Sequence, residues 1–257
     1  MTRGCCLAIA IVLFATCRMF IAEPAWAIDR ERLYREAVHI LGGHANVINR
    51  WRGTIRFSYA GDRRYRQQAR TIVNEAAALA AIRVADLSGN GPSALDFIDL
   101  LKSRRPDAAG PFCGTDVTAG CVNFVVVLTD ASTMRALAAA IPLRSLYVRA
   151  LRRHPQLPCF FAPFIRARGE IYRAVIYVRH DLSADMRRTC LAEEIYQSLG
   201  LFNDYTGARY FSFNNTVAPK SITRFDRLLL RALYDPRIPF GAPVNRVVLR
   251  FLDDLGK

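Results

Sequence analysis

The chain has no G-x-S-x-G, no G-x-x-x-x-G-K-[ST] and no H-E-x-x-H. Those absences exclude the usual nucleophile elbow, the phosphate-cradling P-loop and the helical signature of zinc peptidases. It has no C-x-x-C either, so a cysteine-built zinc site is not expected. The histidines, His39, His44, His154 and His180, are scattered without an i,i+4 pair and read as structural or solvated side chains. Lysine is scarce: Lys102, Lys220 and Lys257 stand among 36 basic residues, the rest being arginine. The formal charge of +14 comes without a block of five or six like charges, only pairs such as Arg63-Arg64, Arg104-Arg105 and Arg152-Arg153. A dedicated nucleic-acid partner is therefore not expected. No internal repeat is visible. Gly89-Asn-Gly-Pro-Ser-Ala94 only loosely echoes G-x-G-x-x-A, with Pro92 inside it and no strong strand before it, so no dinucleotide site is expected.

Long apolar runs are also missing. No stretch of about 18 uncharged apolar residues occurs, so no spanning helix is expected. The run from Cys5 to Cys17 is too short to cross a bilayer, but it has the layout of a signal peptide. Arg3 supplies the positive start, Cys6–Thr16 the apolar centre and Ala25-Trp26-Ala27 the A-x-A cleavage site. Residues 1–27 are read as a cleaved signal and 28–257 as one domain delivered to the periplasm or secreted. Lipid anchoring at Cys17 is less favoured, because Phe14-Ala15-Thr16 is a poor small-residue box. Cys5, Cys6 and Cys17 leave with the signal. Cys113, Cys121, Cys159 and Cys190 then form an even set in an oxidising compartment, where three disulfide pairings exist. A local Cys113–Cys121 link across Gly114 and Gly120 would leave Cys159 and Cys190 to tie a strand to a helix.

Hydrophobic residues at 52% against 23% charged are enough for a sizeable core. Helices are expected over an N-terminal segment 29–41 ending at Gly42-Gly43, over Tyr65–Val84, and over Met186–Leu199. More are expected over Thr223–Tyr234 and over a C-terminal 243–255 beginning at a proline. A short helix is expected at Ala94–Lys102 and a longer one at Ser132–Arg153, broken near Pro142. Strands are expected at Trp51–Tyr59 and at the continuous apolar run Val122–Leu128, with Phe160–Arg166 and Ala174–Val178 forming a hairpin across Gly169.

One stretch carries chemistry: Cys190-Leu-Ala-Glu-Glu-Ile-Tyr-Gln-Ser-Leu-Gly-Leu-Phe-Asn-Asp204. On a helix, Leu191, Ile195 and Leu199 make a core stripe. Glu193 and Gln197 share another face one turn apart, with Glu194 about 100° round the axis. Gly200 is free to take positive φ, letting the chain turn back and bring Asn203 and Asp204 toward that face. This is the layout of H-E-x-x-H-x-x-G-x-x-H, in which two imidazoles hold zinc and the glutamate polarises a water. Here it reads E-E-x-x-Q-x-x-G-x-x-N-D. The glutamate (Glu194) and glycine match, and the three ligand positions hold Glu193, Gln197 and Asn203. No methionine follows Met186, so the methionine turn of such peptidases is missing too. Zinc is not expected. Calcium or another oxygen-liganded cation is the alternative that the oxygen-rich set leaves open, and a polar ligand cleft is the other.

That run, together with Phe211-Ser-Phe-Asn-Asn215 and Ile222-Thr-Arg-Phe-Asp-Arg-Leu-Leu-Leu-Arg-Ala-Leu-Tyr-Asp-Pro236, resembles the proteobacterial domain of unknown function 2927 over about residues 159–241. The family's members are secreted proteins or lipoproteins without an established activity. The resemblance implies that Glu193, Glu194, Gln197, Asn203 and Asp204 form a characteristic polar cluster. The helix ending Leu-Tyr-Asp-Pro is also similar to the last helix of zincin peptidases. The expected fold is α+β and zincin-like: a twisted mixed sheet packed with an active-site-type helix, in a core spanning 51–241. The expected function is an exported zincin-like protein without conventional zinc peptidase activity, binding or assembling a cell-envelope protein or polymer. Two alternatives stand beside it. One is a metal-dependent hydrolase with Glu194 as general base, and the other a basic binder of anionic lipid or polysaccharide.

Overall fold

The computed structural model describes residues 28–42, 46–88, 121–134, 157–214 and 221–256. The expected signal segment, Cys113, the helix expected at 94–102 and the helix expected beyond 134 lie outside the described residues. The observed order is α1 (Arg30–Leu41), β1 (Arg50–Trp51), β2 (Ile55–Ala60), α2 (Arg66–Leu79), β3 (Val84–Asp86) and β4 (Phe124–Thr129). Then come β5 (Cys159–Ile165), β6 (Glu170–Arg179), α3 (Ala184–Ser198), α4 (Arg224–Leu233) and α5 (Val244–Asp254). The strands build one sheet in the order β1-β6-β4-β2-β3, with β5 on the outer side of β6. All pairings are parallel except β5 with β6, a hairpin closed through Ala167–Gly169. The fold is thus a mixed α and β structure. No helix among the described residues is long and apolar enough to cross a membrane.

The continuous apolar run of β4 follows from its central place. Phe124, Val126 and Leu128 face the helices, and Val125 and Val127 join Ala60, Val175 and Tyr177 on the opposite face. A strand covered on both sides has no reason to alternate apolar with polar residues. The polar Asn123 at its start bridges two strands: its Oδ1 accepts from the Arg56 amide at 2.7 Å and its Nδ2 donates to Thr54 O at 3.1 Å.

Two expected elements divide. The strand expected over Trp51–Tyr59 is two strands, broken around Gly53, because its ends serve different neighbours. Trp51 pairs with Ile171 of β6, whereas Ile55–Ala60 lies between β3 and β4. The Trp51 ring and amide also leave the sheet, the indole N–H donating to Ser198 O and the backbone N–H to the Tyr234 hydroxyl, both at 3.0 Å. The helix expected to run to Val84 stops at Leu79. Ala81 takes φ +52° and the Ile82 amide closes onto Ala77 O, turning Val84–Asp86 into β3 beside β2.

Two side chains lock the helices to the sheet. Arg50 is buried and donates to Leu233 O at 2.9 Å, Asp235 O at 3.5 Å and Ile238 O at 2.5 Å, where α4 ends, with its guanidinium 4.4 Å from the Phe240 ring centre. A planar fork with five N–H donors reaches separated carbonyls while stacking on a ring, a geometry that a compact ammonium does not match. Arg50→Ala is expected to cost about 2–3 kcal/mol, with Arg50→Lys recovering little of it, measured by urea denaturation. Cys159 of β5 is bonded to Cys190 of α3, with Cα atoms 5.9 Å apart, as one of the pairings read from the sequence requires. Cys121 is disulfide-bonded as well.

Candidate functional site

α3 begins at Ser183, whose hydroxyl accepts from the Met186 amide, with Asp185 in the first turn where a negative charge suits the helix end. Leu191, Ile195 and Leu199 are fully buried, as their spacing requires. The Cys159–Cys190 link and the Phe161 amide fasten the helix to β5, the amide donating to the Glu194 carboxyl. At the far end the Gly200 amide closes onto Gln197 O and the Tyr234 hydroxyl donates to Leu199 O. Gly200 takes φ +116°, the conformation its position in the motif demands. The returning chain buries Leu201 and Phe202 and arrives at Asn203 and Asp204.

Four of the five expected residues come together. The Gln197 amide donates to Asp204 Oδ1 at 2.7 Å. Glu193 is half-buried and Glu194 only 6% exposed, and each feels the charge of Asp204. Asn203 is used differently. Its amide donates to His39 O at 2.9 Å and to Gly42 O, and its backbone N–H to Ile40 O, so it seals the C-terminal carbonyls of α1. The position where a zinc peptidase would supply its third ligand is here a helix-capping residue. Asp204 is braced from the same helix, its carbonyl 3.1 Å from His39 Nε2.

The electrostatics of the cluster are unusual for this chain. Burial, then Asp204 and Asp226, push the Glu193 carboxyl up to about 8. Burial, then Glu193 and Asp204, hold Glu194 well above the usual carboxylate range, the Phe161 amide opposing only in part. Glu194 Oε2 is buried without a hydrogen-bond partner. Among the described residues no group of three or more His, Cys, Asp and Glu side chains is placed to hold a metal ion.

Two carboxylates escaped the sequence reading. Asp226 is fully buried at the start of α4, accepting from the Thr223 and Ser212 amides while Thr223 accepts in return. The signal was present, since Thr223-Arg-Phe-Asp226 is a capping-box pattern. Glu36, also fully buried, accepts from the Arg209 and Tyr210 amides and from Arg32. It lies between Leu33, Ala37 and Ile40 on the apolar stripe of α1, where a charge should have drawn notice. Next to the cluster, Glu75, Ala78, Leu79, Tyr196, Arg227 and Arg231 line a groove of about 610 Å³ between α2, α3 and α4. Asp226 is an electrostatic neighbour of both Glu193 and the groove-lining Tyr196.

A family model described as protein of unknown function (DUF2927) matches residues 31–248. No curated protein and no solved structure matches the chain.

Proposed function

The chain belongs to the DUF2927 family of proteins of unknown function, and from that premise we propose that it is an exported, zincin-like binding or assembly factor of the cell envelope without conventional zinc peptidase chemistry. Its ligand docks at Glu193, Gln197 and Asp204, above the buried Glu194. The observation that carries this reading is the buried, unpartnered Glu194 oxygen, on the same helix as Glu193 and Gln197 and within electrostatic reach of Asp204, which follows the Gly200 turn. A native fold rarely leaves such an oxygen unsatisfied without a functional reason. The zincin-like part of the reading draws support from the helix layout around Glu194 and Gly200 and from the single antiparallel strand beside that helix. Against the peptidase reading stand the ligand positions themselves, which hold two carboxamides and a carboxylate, one amide being spent on α1. The neighbouring groove, of the size of small-ligand sites, gives a docked partner further surface. Export is supported by the N-terminal pattern and agrees with the Cys159–Cys190 disulfide.

Site-directed photocrosslinking in living cells tests the reading. A photoreactive residue in place of Glu193 is expected to trap a discrete envelope component, and Asp204→Ala to abolish the adduct. A photoreactive residue at the exposed Leu249 serves as the control. The same product pattern from positions 193 and 249 would contradict the docking site. Mature protein that purifies with stoichiometric zinc, and that loses a hydrolytic activity on Glu194→Gln while staying folded, would replace the reading with the hydrolase. Salt-sensitive binding to anionic liposomes that ignores Glu194 would replace it with the surface binder.

A further inference from the structure

Arginine is abundant in this protein, and many of its acidic groups are paired with it. Glu36 meets Arg32, Asp62 meets Arg64, Asp181 meets Arg179, and Asp235 meets both Arg237 and Arg250. Glu193, half-buried, and Glu194, buried, lie outside that pairing. Among the described residues no ion pair joins either to a basic residue, and the charges acting on them, Asp204 and Asp226 on Glu193, Glu193 and Asp204 on Glu194, are negative. Among the described residues the flanks contribute Asp204 from the turn after α3, Asp226 from α4 and the Phe161 amide from β5; the nearby basic groups are engaged elsewhere, His39 of α1 at the Asp204 carbonyl and Arg227 of α4 at the Tyr196 hydroxyl.

We propose that the ligand presents an organic cation, an ammonium or guanidinium group, which seats against Glu193 and satisfies the orphan Glu194 oxygen. This names the ligand class for the site of the binding-factor reading and rests on that reading. A single positive charge with several N–H donors matches the site better than a metal ion, because it needs no full shell of fixed ligands. The described residues offer no such shell, and the Asn203 amide is held by α1. Inside a half-buried site the attraction is several times that in water. The overall positive charge of the protein works against such a ligand only at long range, where salt of physiological strength screens it.

Seating a cation requires an ionised carboxylate. With the Glu193 carboxyl titrating at about 8 in the free protein, occupancy at neutral pH expels a proton. Affinity therefore rises with pH, by about tenfold per unit at most, and levels off above about 8.

The test is an amide-shift titration by NMR on the mature protein. The probes are N-acetyl-arginine amide, N-acetyl-lysine amide, the uncharged N-acetyl-citrulline amide and calcium chloride, each at pH 6, 7 and 8. The two cations are expected to shift signals of residues 193–205, more tightly at pH 8 than at pH 6, and citrulline to leave them unmoved. Glu193→Gln is expected to weaken the response, and Glu194→Gln, isosteric and checked for an intact spectrum, to remove its remaining pH dependence. Preference for lysine or for arginine identifies which basic side chain a partner presents. Equal shifts with citrulline, or no shift with either cation at any pH, would overturn the inference, as would calcium binding in their place. In each of those cases an adduct trapped from position 193 in cells would leave the binding-factor reading standing. Loss of that adduct would remove the reading itself.

Discussion

Gly200→Ala is expected to destabilise the protein by about 3–5 kcal/mol and to dismantle the cluster. The residue holds φ +116°, which a side chain resists. A Cβ there would lie 2.2 Å from Asn49 O and 2.8 Å from Leu233 Cδ2. The first contact is with backbone, which has no rotamer by which to retreat, and Asn49 precedes the Arg50 and Trp51 that anchor α4 and the end of α3. Relief requires the turn to open, which moves Asp204 away from Gln197. Urea denaturation gives the stability loss, and the photocrosslink from position 193 gives the functional one. A loss under about 1 kcal/mol would show that the turn yields easily, and the geometry drawn for the cluster would then be wrong.

The second large effect is on pH dependence. Glu193 and Glu194 have carboxyls raised by folding, as does Asp226, buried and only partly offset by its amide donors. The folded state then holds protons that the unfolded chain releases near 4.5. Stability falls as pH rises between about 4.5 and the folded values, and is regained on acidification. Over pH 8 to 5 the gain is on the order of 3 kcal/mol for half-buried Glu193, or about 10 °C in Tm for a chain of this size. Other carboxylates act oppositely but in a lower window. Asp62, Asp130 and Asp235 are held down by hydrogen bonds from Arg64, Ser132 and Arg237, and their contribution is lost only as pH falls below about 4. The stability maximum is therefore expected near pH 5. Glu193→Gln with Glu194→Gln is expected to flatten the slope between 5 and 8. A wild-type Tm that climbs steadily from pH 5 to 8 would contradict the account.

Much of this was legible in residue order. Leu191, Ile195 and Leu199 declared the buried stripe of α3, Gly200 its left-handed stop, and the unbroken apolar run at Val122–Leu128 the central strand. The site was legible in membership more than in geometry. Gln197 and Asp204 meet as their spacing suggests. Asn203, one residue away, is drawn to α1, where it donates to carbonyl groups at the end of that helix, and nothing local signals that α1 packs at this turn. The division of Trp51–Tyr59 was hidden for a similar reason. Alternation reports which face a residue takes, but not that Trp51 pairs with Ile171 while Phe57 pairs with Phe124. Ile82 fits the apolar period of α2 and sits beyond its end, since a helix and the turn that follows it can use the same core.

The account turns on whether folding raises the carboxyls of two adjacent glutamates. Carbon-detected NMR titration of glutamate carboxyls in the mature protein, with Glu193→Gln and Glu194→Gln for assignment, reads this directly. The Glu193 carboxyl should titrate at about 8, and that of Glu194 well above the usual carboxylate range. Midpoints near 4.5 for both would mean that water or a basic group reaches the pair, and the site as drawn would not exist.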